Sequence, residues 1–105
     1  MMRFTAVIAL FPGLPESELL AWVQRGWVRP EGAEPDWVFQ DIDIARVRLI
    51  LDFRDVMDVR DETMPLVLSL LDQVYTLRGQ MRAVARAVED QPDAVRSAIL
   101  AALRA

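Results

Sequence analysis

Ahead of Pro92 the chain repeats apolar side chains at alternating steps of three and four: Val67, Leu70, Val74, Leu77, Met81, Val84 and Val88. This is a heptad seam, and it predicts one long helix from about Pro65 to Glu89. Pro65 suits a first helical turn, with Asp61, Glu62 or Thr63 near the cap. Asp90-Gln91-Pro92-Asp93 ends the helix. All seven seam positions are apolar and Gln73, Arg78, Gln80 and Arg82 flank them, which favours a partner helix. About three heptads are marginal alone, so the seam needs support from the rest of the chain. The expected assembly is a homodimer with Leu70, Val74, Leu77, Met81, Val84 and Val88 on the seam.

The seam belongs to the second of two segments, residues 61–105, which closes with an amphipathic helix carrying Val95, Ile99, Leu100 and Leu103. Residues 1–60 form the first. A short helix capped by Thr5 runs to the turn Pro12-Gly13-Leu14-Pro15. A second helix, Glu16 to Arg25, places Leu19, Leu20, Trp22 and Val23 on one side and Ser17, Glu18, Ala21, Gln24 and Arg25 on the other. Gly26 is its left-handed stop, and Trp27 and Val28 fold back onto the core. Trp27-Val28 and Trp37-Val38-Phe39, across a turn-rich stretch, read as a small two-stranded wing. Asp41 or Asp43 then caps a helix from about Ile44 to Val59. Its buried face is Ala45, Leu49, Ile50, Phe53, Val56 and Met57, opposite Arg48, Asp52 and Asp55, with Leu51 on the border. Trp22, Trp27 and Trp37 read as core residues. The fold class expected is all-α, a winged helix-turn-helix head followed by a long helix and a C-terminal helix.

Residue types absent from the chain remove whole classes of chemistry. There is no cysteine, which excludes disulfides and thiolate catalysis. There is no histidine, the usual general base and imidazole ligand. All 12 basic residues are arginine, so no lysine stands ready to activate a hydroxyl. The run Asp52, Asp55, Asp58, Asp61 and Glu62 is interleaved with Arg54 and Arg60, the pattern of a solvated helix face. No calcium loop, phosphate-cradling loop or dinucleotide fingerprint is present. No enzyme activity, cofactor, metal or small-molecule ligand is expected. The N-terminal run Phe4–Phe11 is too short to span a bilayer and lacks a small-x-small cleavage site, so a cytoplasmic location is expected.

The order helix, turn, helix, glycine, wing is that of a winged helix-turn-helix, whose second helix enters the major groove of DNA. Phosphate contacts require that surface to be basic. Here the outward face of the second helix offers one cation, Arg25. The wing and its exit hold Glu31, Glu34, Asp36, Asp41 and Asp43 with no basic residue between Arg29 and Arg46. With a net charge of −4, neither nucleic acid nor anionic membrane is an expected partner.

The run Leu19-Leu20-Ala21-Trp22-Val23-Gln24-Arg25-Gly26-Trp27-Val28-Arg29-Pro30 resembles the helix, glycine and proline of MerR-type winged-helix proteins. Trp37-Val38-Phe39 followed by Asp41, then Leu51-Asp52-Phe53-Arg54-Asp55-Val56-Met57-Asp58-Val59, are more specific. With Leu68-Ser69-Leu70-Leu71-Asp72-Gln73-Val74, Leu77 and Met81, they are similar to the CbpM family of bacterial chaperone modulators. The resemblance covers about residues 5 to 88; the compact first helix and the segment after Asp90 depart from it. It implies a protein that binds the J-domain of a CbpA/DnaJ-like co-chaperone and inhibits its stimulation of DnaK. It also implies an antiparallel pairing of the long helix. J-domains of this class present a basic helix, so an acidic surface with some apolar area is needed. Leu51, Asp52, Asp55 and Asp58 are the expected partner-binding residues, with the wing carboxylates Glu34, Asp36, Asp41 and Asp43 as the second candidate surface. A MerR-type DNA-binding transcription regulator is the alternative function.

Overall fold

The first residues of the chain do not run free: Met2–Arg3 (β1) pairs antiparallel with Val38–Phe39 (β2), Met2 opposite Phe39 and Arg3 opposite Val38. The structure, a computed structural model, describes residues 1–105. Five helices accompany this two-stranded sheet: α1 Phe4–Leu10, α2 Glu16–Gln24, α3 Asp41–Asp55, α4 Met64–Glu89 and α5 Asp93–Arg104. No helix is long and apolar enough to cross a membrane. The chain divides into two compact units, Met1–Leu66 and Val67–Ala105.

In the first unit α1 packs on both strands and α3 packs on β2. Phe39, Val7, Leu19, Val28, Val47, Ile50 and Met64 are fully buried. Burying each such side chain contributes roughly 1.5–3 kcal/mol. Gly26 closes α2 at φ 76°, a backbone state that costs a side-chain-bearing residue more than glycine. Its N–H donates to Val23 O at 3.0 Å and the Trp27 N–H reaches back to Trp22 O at 2.9 Å, which is the Schellman arrangement. Trp22 and Trp27 are both buried, with ring centroids 6.5 Å apart.

Several details differ from the sequence expectation. Trp27 and Val28 are buried but are not a strand: both of their N–H groups turn back to Trp22 O to finish α2, leaving none for a ladder. The sheet partner of Val38–Phe39 is the N-terminal segment instead, and Glu31 adds one isolated antiparallel bridge to Val38. Thr5 is not the cap of α1. The helix begins at Phe4 directly behind β1, with Arg3 at the cap position, so Thr5 already lies inside the first turn.

The third helix starts and stops early. Gln40 is its cap residue, and its N–H donates to the Asp43 carboxylate at 2.8 Å. That bond draws Asp43 inward, where it is buried, and turns Val47 and Ile50 inward with it at helical spacing. The buried face is therefore Asp43, Val47 and Ile50. Ala45 is exposed, Leu49 and Phe53 are half-buried, and Val56 and Met57 lie beyond the helix in solvent. The chain reverses at Asp58, whose φ is 56°, and the Val59 N–H returns to Phe53 O at 2.8 Å. Aspartate is among the few residues other than glycine that visit this region readily.

Asp43→Ala should lower the unfolding free energy by about 1–2 kcal/mol in urea denaturation, because a buried cap is lost. Asp41→Ala, an exposed neighbour in the same turn, should stay within about 0.5 kcal/mol.

Candidate partner-binding surfaces

Carboxylates are unevenly shared between the two units. Met1–Leu66 holds twelve against seven arginines, whereas Val67–Ala105 holds four against five. The negative charge is thus a property of the first unit. Several of its arginines are occupied within the fold. Arg3 is 3.7 Å from the Asp36 carboxylate, and the Arg48 guanidinium lies 5.3 Å from the Phe11 ring centre.

The expected partner-binding residues lie where α3 ends. Asp52 is exposed on its last turns, and Leu51 is half-buried beside it. Asp55 is exposed and accepts a hydrogen bond from Arg54 Nε at 2.8 Å, so part of its charge is spent inside the fold. Asp58 is exposed but does not share the helical face; it sits in the left-handed reversal that follows. Between Asp55 and Asp58 stand Val56 and Met57, 76% and 63% exposed. The sequence pattern assigns these two to the buried face and so misses them. One physical signal does point to them: carboxylates at 52, 55 and 58 oppose the negative end of a helix dipole and favour an earlier stop. The result is an apolar pair bracketed by acidic side chains.

The outward face of α2 is built differently. A concave site of about 260 Å³ contains Glu18, Trp22, Arg25, Arg54 and Asp61. Arg25 lies 3.5 Å from the Asp61 carboxylate and its guanidinium is 5.1 Å from the Trp27 ring centre. Arg54 pairs with Glu18 as well as Asp55, and lies 5.8 Å from the Trp22 ring centre. The hydrogen bond to Asp55, with further help from Glu18, raises the Arg54 pKa against the opposing effect of burial. A raised pKa adds stability that is complete below the unfolded value and lost only as pH rises through the folded one. For arginine that window lies in strong alkali. The one cation on the exposed face of α2 is therefore already paired.

In the second unit the seam is open. Leu70, Val74, Leu77, Met81 and Val84 are between 43% and 71% exposed, and Val67 and Val88 are half-buried. Along the start of α4, Met64 and Leu68 are buried, on a line of side chains rotated away from the seam. On α5, Val95, Leu100 and Leu103 are exposed and no residue is buried. The α5 cap region is held by Arg96, which pairs with Asp93 and donates to Glu89 O at 3.4 Å. Of the carboxylates expected on a wing, Glu34, Asp36 and Asp41 are exposed, while Asp43 is withdrawn into the helix cap.

No protein-family model, curated protein or solved structure matches the chain.

Arg54→Met, which keeps much of the stem and removes the charge, should cost about 1 kcal/mol in urea denaturation. The loss should be unchanged between about pH 6 and 9, because arginine stays charged there. It should shrink in about 1 M salt, where screening weakens the partly exposed pairs.

Proposed function

We propose that this chain is a non-enzymatic chaperone modulator of the CbpM kind. It binds the J-domain of a CbpA/DnaJ-like co-chaperone in the cytoplasm and inhibits stimulation of DnaK. Its first unit is read as a MerR-like winged helix-turn-helix head whose DNA-reading surface has been replaced. The observation that carries this reading is the end of α3, where Val56 and Met57 stand exposed among Asp52, Asp55 and Asp58. A basic helix laid there gains apolar contact at its centre and opposite charge at its rim, the composition a protein interface needs. The residue resemblance across about 5 to 88 points to the same partner. No small-molecule ligand enters this account.

A MerR-type transcription regulator is the second reading, favoured by the order of α1, α2 and the bridge at Glu31–Val38. Against it stands the pairing of Arg25 with Asp61, which leaves no free cation on the outward face of α2. The proposal includes homodimerisation through antiparallel α4 helices, because a seam this exposed loses apolar surface to water unless a second chain covers it.

Four measurements test the two readings. Purified J-domain should bind the chain, and association should slow as salt rises. Asp52→Lys with Asp55→Lys should weaken binding about tenfold or more, about 1.4 kcal/mol; no binding by the unmodified chain rejects the function, and unchanged affinity in the double variant rejects only this surface. Leu77→Glu should weaken self-association on the order of 100-fold in sedimentation experiments, since a charge would be buried unpaired. A salt-sensitive retardation of genomic DNA fragments at moderate salt would favour the transcription regulator instead.

A further inference from the structure

A second concave site in the first unit contains no residue of α3. It is a cavity of about 410 Å³ formed by the start of α1, the start of α2 and the segment before β2. Its walls are Phe4, Leu20, Pro35 and Trp37, and its polar groups include the carboxylates of Glu16 and Glu34. Phe4 and Trp37 are half-buried, with ring centres 6.1 Å apart and planes inclined at 43°. No arginine lines the cavity. Neither carboxylate has an ion pair or hydrogen bond within the chain, in contrast to Glu18, Asp36, Asp43, Asp55 and Asp61.

Two aromatic faces, an aliphatic wall and two unpaired carboxylates select their occupant by chemistry. An anion is repelled. A purely apolar side chain would strip water from the carboxylates without replacing it. A cation carried on an aliphatic stem satisfies every wall at once. The planar guanidinium does so better than an ammonium, because it stacks on an aromatic ring while its edges donate to carboxylates. The volume falls within the range of sites that enclose a small organic group.

We infer that this cavity receives an arginine side chain presented by a partner protein. The stem lies along Leu20 and Pro35, the guanidinium plane faces Trp37 and Phe4, and its N–H groups donate to Glu16 and Glu34. The site goes beyond the J-domain reading and does not depend on the surface at the end of α3; it shares only Glu34 with the second candidate surface.

The full-length chain labelled with ¹⁵N, titrated with Nα-acetyl-arginine methylamide, tests this directly through the Trp37 indole N–H resonance. Its assignment comes from Trp37→Phe. A saturable shift is expected with a Kd on the order of 1 mM, as suits a single side chain. The citrulline analogue, equal in shape but uncharged, should produce no saturable shift. Glu16→Gln combined with Glu34→Gln should weaken the arginine response at least about fivefold. Both positions are exposed, and unchanged Trp22 and Trp27 resonances would show that the variant keeps its core. An equal response to citrulline, an undiminished response in the double variant, or no saturable shift with arginine overturns the assignment.

Discussion

Met2 and Arg3 hold the strand Val38–Phe39 by backbone pairing, and much of the first unit is arranged around that short sheet. Phe39 is carried into the core with no exposure, where the helices α1 and α3 pack against its strand. Because β1 runs directly into α1, Phe4 is placed beside both Trp37 and Phe39, with ring centres 6.1 and 6.4 Å away. The same pairing fixes where α3 begins, one residue after β2, with Gln40 and Asp43 sealing its first turn. A two-residue strand pair has little stability of its own. It persists here because Phe39 is fully buried and both α1 and α3 pack against its strand.

Electrostatics then divides the surface into used and unused charge. Arg25, Arg54 and Arg3 are bound to carboxylates of the same unit, and Arg54 spends its charge on two of them. Twelve carboxylates cannot all be matched by seven arginines, and exposed ones stand at α3's end, at Asp41 and beside Trp37. Such a surface repels phosphate backbones and attracts basic protein surfaces. The second unit has nearly balanced charge and an exposed apolar seam, so the pairing proposed for it would be driven by removal of apolar area from water.

Much of this was readable from residue order. The long helix runs Met64–Glu89, within one residue of the span its heptads and Pro65 predict, and Gly26 adopts the left-handed state that its place after α2 demands. What the sequence concealed lies where local patterns compete with non-local pairing. Trp27-Val28 has strand composition, yet its donors are consumed by the end of α2, and Met2–Arg3, more than thirty residues before Val38, takes the sheet position. The apolar spacing through Val56 and Met57 continues a helix on paper, but Asp58 reverses the chain without a glycine to announce it. The buried face of α3 was misread for a related reason: a polar residue, Asp43, sets its rotation. The exposed apolar pair at the centre of the candidate surface follows from the same early helix end, which only the carboxylates at 52, 55 and 58 foreshadow.

In the proposed function this acidic surface restrains a co-chaperone by occupying its J-domain. The most direct measurement is the steady-state ATPase rate of DnaK stimulated by a CbpA-type co-chaperone, with the chain titrated into the reaction. The account requires stimulation to fall toward the unstimulated rate as the J-domain saturates, while the rate of DnaK alone stays unchanged. Full stimulation persisting at concentrations where the J-domain is saturated with the chain would contradict it.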